Sequence, residues 1–101
     1  MRNFKVEVLD LAKTDTRQAR KWYNHQQAGL GKRFTTDLTG TLRKIARNAT
    51  SFAIRYKVVR LANFKTFPYA AHFYIDNDHD TVFIITILNS SQHPDTPKDR
   101  F

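Results

Sequence analysis

Residues 60–74 read R-L-A-N-F-K-T-F-P-Y-A-A-H-F-Y, and this stretch is the most informative part of the chain for its fold. It begins with a basic patch containing Arg60 and Lys65, continues with the turn signal Phe67-Pro68-Tyr69, and ends in alternating residues. Proline presets the backbone for a turn, and apolar residues at every second position are typical of a strand with one buried face. The stretch therefore predicts a loop that leads directly into a strand of a β-sheet.

The rest of the chain after Asn48 has the same period of two. Alternating or continuous apolar runs occur at 52–56, 58–61 and 81–88, which predicts three or four antiparallel strands in this half. The acidic run Asp76 to Asp80 resembles the start of a calcium loop but lacks the required glycine, and Ile87 stands where the last glutamate would be. We interpret this run as a hairpin turn.

The first half of the chain has a helical period. After a short strand of alternating residues at 4–8, Asp15 and Gln18 resemble a capping box and predict a helix from about Asp15 to Gln27. The glycines of Gly29-Leu30-Gly31 break this helix. An apolar stripe at helical spacing then predicts a second helix that ends near Asn48.

These elements predict an α+β fold in a single domain, residues 1–101. A short N-terminal strand precedes a two-helix antiparallel hairpin, which packs on one face of a mostly antiparallel β-sheet. The other face of the sheet is expected to be open to solvent, since antiparallel sheets often have one solvated face. The last segment, Asn89 to Phe101, contains two prolines among polar residues and is predicted to be an irregular tail.

The composition limits the classes of function. Seventeen Lys and Arg against nine Asp and Glu give a net charge of +8, which favours nucleic acid or an acidic protein as partner. The chain has no cysteine, which excludes disulfides, thiol catalysis and cysteine-ligated zinc. No apolar run has the length of a signal-peptide core or of a membrane span, so we expect a cytoplasmic protein.

The candidate site is the expected open face of the sheet. His72 and Tyr74 alternate with the predicted core positions of their strand, and Arg55, Lys57, Arg60 and Lys65 could add positive charge nearby. Such a surface suits phosphate binding, with His72 or the tail residue His93 available to move a proton. A solvated sheet face with one surface histidine is the simpler alternative. On the second helix, Arg33, Lys44 and Arg47 are interpreted as a solvated face. The histidines lack metal-ligand spacing, and we expect neither a metal nor a cofactor.

Several motifs together resemble the RelE/ParE superfamily of toxins. They are Ala19-x-x-Trp22-Tyr23, Gly29-Leu30-Gly31-x-x-Phe34, Phe67-Pro68-Tyr69 and Val82-Phe83-Ile84-Ile85, and they follow the order of the family along nearly the whole chain. The resemblance implies the toxin of a type II toxin–antitoxin pair, held inactive by a cognate antitoxin that covers the groove beside the helical hairpin and adds a strand at a sheet edge.

The family has two branches, and the resemblance is closer to the ParE-like branch, which poisons DNA gyrase. In the branch of ribosome-dependent messenger ribonucleases, arginines usually stand where this chain has Ala70 and Gln92. ParE-like members commonly have a histidine and an arginine at the positions of Asn89 and Gln92, whereas Pro94 and Arg100 are kept.

The resemblance thus implies a ParE-like growth inhibitor of gyrase, with cationic or polar target contacts at five positions: Arg60, Lys65, His93, Lys98 and Arg100. A metal-independent endoribonuclease is the alternative, and its candidate catalytic residues are Lys57, Arg60, Lys65, His72 and His93. A basic nucleic-acid-binding module without toxicity is the third possibility.

Overall fold

The computed structural model describes residues 3–90, which form one β-sheet and two long helices. The order along the chain is β1 (Lys5–Val8), α1 (Asp10–Gln26), α2 (Leu30–Asn48), a short 3₁₀ turn (Ala49–Ser51), β2 (Ile54–Tyr56), β3 (Val59–Asn63), β4 (Tyr69–Asp76) and β5 (Thr81–Asn89). The α+β fold class is therefore confirmed. The predicted tail lies outside the described residues from position 91 onward.

The sheet has the strand order β1-β5-β4-β3-β2. The four strands of the second half pair antiparallel with their neighbours, whereas β1 pairs parallel with β5. The turn between β4 and β5 is the hairpin predicted from the acidic run, because the Asp76 carboxylate accepts the Asp78 N–H at 3.1 Å and lies 2.8 Å from His79 Nδ1. The hydrogen bond from His79 is the main cause that lowers the pKa of Asp76 below its usual value.

The predicted start of α1, about Asp15, was wrong by five residues. The helix begins at Asp10, directly after β1, and its N-terminal cap is the backbone of Leu9 without a side-chain hydrogen bond. Asp15 does not cap α1. Its carboxylate instead accepts hydrogen bonds from the Thr86 hydroxyl and, at 3.1 Å, from the Ile87 N–H. Asp15 therefore joins the helix to β5 beyond the point where β1 stops pairing with that strand.

The break between the helices and the extent of α2 agree with the prediction. Gly29 has a φ of 92°, in the left-handed region that glycine adopts without steric cost, and it immediately precedes Leu30. The apolar stripe of α2 then packs into the core through Phe34 and Ile45, which are fully buried, and through the partly buried Leu30, Leu38 and Leu42.

The two faces of the sheet differ in what they contact. Ala71 and Phe73 of β4 and Val82 and Ile84 of β5 belong to the core cluster shared with the helices. The opposite face was expected to be open, and this expectation was wrong, because Val59, Ala70, His72 and Ile85 on that side are all buried. The helical segments of residues 3–90 include none that is both long and apolar enough to cross a membrane.

Candidate functional site

Three of the four motifs that carried the family resemblance contribute rings to one aromatic cluster between the helices and the sheet. The rings of Tyr23 and Phe67 have centroids 4.8 Å apart, and Phe34 lies 5.6 Å from Tyr23 and 5.4 Å from Phe67. Tyr69 also contacts Phe34, at 5.0 Å. Burial, followed by the neighbouring Tyr69, raises the pKa of Tyr23. The cluster is part of the packing that fixes the loop before β4, and these motifs therefore specify the fold.

Asp37 of α2 holds this loop in place from the other side. Its Oδ1 accepts the N–H of Lys65 at 3.2 Å, and its Oδ2 accepts the N–H groups of Thr66 and Phe67 at 2.9 and 2.8 Å. Three consecutive backbone donors thus converge on one carboxylate, which behaves as an anion bound in a turn. This contact places the Lys65 side chain beside α2.

Lys65 consequently lines a depression between the loop and α2, which we call the loop depression. Its volume is about 360 Å³, and its cationic lining consists of Arg33, Lys44 and Lys65. Of the carboxylates in the described part of the chain, only Asp37 lines this depression, and its oxygens already accept the three loop N–H groups. The depression therefore presents an excess of positive charge that suits an anionic group.

Arg60, the second predicted cation, has a structural contact. Its Cα pairs with that of Phe73, so it lies on the helix side of the sheet. Its Nη1 donates to the carbonyl oxygens of Thr50 and Phe52, at 3.1 and 2.6 Å. Arg60 thus ties the connection after α2 to β3. The sequence had suggested that Arg60 and His72 share one face of the sheet, but they lie on opposite faces.

His72 is on the face predicted for it but is not available at the surface. His72 is only 4% exposed, and its Nδ1 lies 3.0 Å from the hydroxyl oxygen of Tyr56. Burial raises the pKa of Tyr56. Beside this pair, Tyr74 stacks on Phe83 with ring centroids 5.2 Å apart. This face is therefore aromatic and apolar at its centre, and the predicted basic groove is not formed there.

The remaining predicted residues are dispersed or lie outside the described part of the chain. Lys57 occupies the turn between β2 and β3, where its φ of 48° lies in the left-handed region. The tail residues His93, Lys98 and Arg100 lie outside residues 3–90. Within those residues, no group of three or more histidines and carboxylates is placed to hold a metal ion.

Sequence reasoning missed that Lys65 is accompanied by Arg33 and Lys44. The signal was present, because Arg33, Asp37 and Lys44 recur at four- and seven-residue intervals and so share one face of α2. What the sequence did not show is that the loop before β4 would dock on this face through Asp37.

Comparison with known proteins gives structural matches only. No family model matches the sequence, and neither does any curated protein sequence. The fold is similar to a chain of the chromosomal ParDE TA (toxin–antitoxin) system from P. aeruginosa, with a TM-score of 0.75 and 14% identity over 85% of this chain and 95% of that chain.

A second similar structure is a chain of the toxin–antitoxin complex RelBE2 from Mycobacterium tuberculosis. Its TM-score is 0.62 at 16% identity, over 88% of this chain and 93% of the other. Both matches extend over nearly the full length of the compared chains. The chain therefore shares the fold of these two chains.

Proposed function

We propose that this protein is the toxin of a type II toxin–antitoxin pair, that a cognate antitoxin holds it inactive in the cytoplasm, and that its target is DNA gyrase. The observation that carries the proposal is the match to the ParDE structure, which includes 95% of that chain at a TM-score of 0.75. Because identity is only 14%, the match concerns the fold, and the toxin role is a proposal that experiment must test.

The surface offers a place where an antitoxin could bind. Three exposed apolar side chains lie along the β1–α1 region: Leu9, Leu11 and Trp22, the last with 57% of its surface accessible. Leu11 and Trp22 are about three helical turns apart and so lie on the same side of α1. Exposed apolar residues, tryptophan above all, are typical anchors of protein interfaces. We therefore place the antitoxin contact along this side of α1.

The geometry supports the proposal only by weakening its ribonuclease alternative. A metal-independent ribonuclease needs several cations and a proton-transferring group around a single phosphate. Arg60 and His72, two of the candidates for that role, lie on opposite faces of the sheet, and His72 is buried. Ala70, at the position where the ribonuclease branch has an arginine, is buried as well.

We propose the same five target contacts that the sequence suggested, but we now give Lys65 the main role and Arg60 a mainly structural one. Lys65 is exposed beside Arg33 and Lys44 and is the strongest candidate among the described residues. Arg60 would contribute mainly by holding residues 50–52. His93, Lys98 and Arg100 are proposed as further contacts from the C-terminal segment.

The experiment that tests the proposal is inducible expression in bacteria without the antitoxin. We expect growth arrest with induction of the DNA-damage response and intact ribosome-associated messenger, and we expect the purified protein to stabilise the cleaved complex of gyrase and DNA. Codon-positioned cleavage of messenger would instead assign the ribonuclease function.

The matched variants for this experiment are Lys65→Ala and Arg47→Ala. Both remove one exposed cation, but Arg47 does not line the loop depression. Lys65→Ala should relieve the arrest, whereas Arg47→Ala should leave it unchanged. Full toxicity of a folded Lys65→Ala variant would exclude Lys65 as a target contact.

A further inference from the structure

The outer surface of the helical hairpin carries two more depressions next to the loop depression. The first lies along α1, has a volume of about 500 Å³, and is lined by cationic and polar side chains that include Arg17, Arg20 and Lys21. The second lies between α1 and α2, has a volume of about 810 Å³, and includes Arg20, Lys32 and Arg43 in its lining. All five of these cations are exposed.

The three depressions adjoin one another. Arg20 and Asn24 line both the first and the second, while Thr36 and Gly40 line both the second and the loop depression. They thus form one surface that crosses α1, then α2, and reaches the loop before β4. We call this surface the hairpin belt.

Within residues 3–90, neighbouring acids do not neutralise the cations of the hairpin belt. Among these described residues, Asp37 is the only carboxylate that lines the three depressions, and it is bound to three backbone N–H groups. The two ion pairs described within residues 3–90 are elsewhere, between Lys5 and Glu7 and between His79 and Asp76. The positive charge of the belt is therefore available to an external anion.

The uncharged part of the belt also lets a phosphate backbone come close to the helix. Thr35, Thr36 and Thr39 donate their hydroxyl hydrogens to helix carbonyls four residues earlier. A side chain at Gly40 would meet no atom within 4 Å, so the space above the helix is open at this point. Several exposed cations along a surface of small residues suit the repeated phosphates of a nucleic-acid backbone.

The composition of this surface differs from that of the apolar centre of a typical protein–protein interface. Interfaces between proteins bury apolar and aromatic anchors at their centre and are depleted in charge there. The large exposed apolar residues Leu11, Trp22 and Val58 do not line any of the three depressions. The belt instead offers Arg, Lys, Asn and Thr, the residue types that contact nucleic-acid backbones.

We propose that the hairpin belt binds the phosphodiester backbone of nucleic acid without sequence preference. This site goes beyond the proposed function, which assigns the protein no nucleic-acid contact of its own. Contacts to backbone phosphates release counterions, so the affinity must fall steeply with salt.

The test compares two triple variants that each lower the net charge by three. Arg20→Gln/Lys32→Gln/Arg43→Gln removes cations from the belt, whereas Lys13→Gln/Arg47→Gln/Arg55→Gln removes exposed cations that do not line it. Binding to a fluorescent DNA duplex of about 20 base pairs is measured by anisotropy over a range of salt concentrations. Thermal unfolding of each variant confirms that it is folded.

We expect the belt variant to bind at least about tenfold more weakly and its log–log salt slope to be shallower by about one unit for each cation removed, about three in total. The control variant should change the slope by less than about one unit. Equal weakening of both variants would show that only net charge matters and would overturn the proposal, as would an unmodified protein that does not bind the duplex at low salt.

Two further arms identify the occupant. Single-stranded RNA of the same length replaces the duplex in one arm, and loss of RNA binding in the belt variant alone would support the same backbone site. In the other arm a poly-glutamate peptide replaces the nucleic acid. Belt-dependent binding of this peptide with no binding of DNA or RNA would assign the surface to an acidic protein and overturn the proposal. Neither result depends on whether the protein arrests growth.

Discussion

At the scale of single residues, the Asp37 carboxylate is the clearest link between one side chain and the shape of a site. It accepts three N–H groups from residues 65–67 across 28 to 30 positions of sequence. Hydrogen bonds to a charged acceptor are stronger than those between neutral groups. The position of Lys65, and with it the loop depression, depends on this contact.

We predict that Asp37→Ala lowers the free energy of unfolding by about 2 kcal/mol, because the loop loses its charged acceptor while water can replace only part of the hydrogen bonding. Urea unfolding followed by circular dichroism measures this change. Asp78→Ala is the control, since Asp78 is an exposed acid of the β4–β5 turn and should change stability by less than about 0.5 kcal/mol. Equal effects of the two substitutions would contradict the anchoring role of Asp37.

At the scale of elements, the packing of α1 against α2 depends on the close approach of Gly31 to the side chain of Asn24. The Gly31 N–H donates to the Asn24 side-chain oxygen at 2.9 Å, which satisfies a donor at the beginning of α2. A Cβ at Gly31 would lie 2.6 Å from the nitrogen of the same amide group. An alanine there would displace Asn24 and break the hydrogen bond that joins the helices.

Alanine substitutions at the two glycines of α2 should therefore change the stability of the protein in opposite directions. We predict that Gly31→Ala destabilises the protein by about 1 to 2 kcal/mol, since the lost hydrogen bond and the steric displacement exceed the gain in helix propensity. Gly40→Ala should stabilise it by roughly 0.5 to 1 kcal/mol, because Gly40 is exposed within the helix and the space above it is open.

Differential scanning calorimetry of both alanine variants measures the two shifts in melting temperature. The combined variant Asn24→Ala/Gly31→Ala separates steric displacement from the hydrogen bond, because it removes the side chain that the new Cβ would meet. Stabilisation by Gly31→Ala alone would show that Asn24 does not restrict this position.

At the scale of the whole molecule, apolar and basic binding surfaces are separate. Leu11 and Trp22 are exposed and lie on the same side of α1. The cations of the hairpin belt line depressions that do not include these two residues. An antitoxin bound at Leu11 and Trp22 would therefore not compete with a nucleic acid for the same side chains.

We predict that Trp22→Ser weakens binding of the cognate antitoxin by about tenfold or more, because truncating an aromatic interface anchor typically costs at least about 1 to 2 kcal/mol. Isothermal titration calorimetry measures the affinity. Val58→Ser is the matched control, because Val58 is also an exposed apolar residue, 61% accessible, but lies next to β2 at the opposite edge of the sheet from β1. An unchanged affinity for Trp22→Ser, or the same loss in the control, would contradict an antitoxin site on α1.

Local signals predicted the elements well wherever the pattern and its packing agree. Alternation located the strands, the left-handed Gly29 separated the helices, and the apolar stripe gave α2 its observed end at Asn48. The start of α1 was missed because Asp15 and Gln18 form a plausible capping box, whereas the carboxylate of Asp15 in fact bonds to β5, 71 and 72 positions away. A local rule cannot anticipate such a long-range acceptor.

The fold class could be predicted from the sequence, because alternation, helical period and glycine breaks are local properties. Which cations lie together depends on tertiary contacts. Arg60 turned toward the carbonyls of Thr50 and Phe52, His72 became buried beside Tyr56, and Lys65 joined Arg33 and Lys44. The physical reason is that side chains far apart in sequence are brought together by docking of the loop on α2, through hydrogen bonds that no periodicity in the sequence specifies.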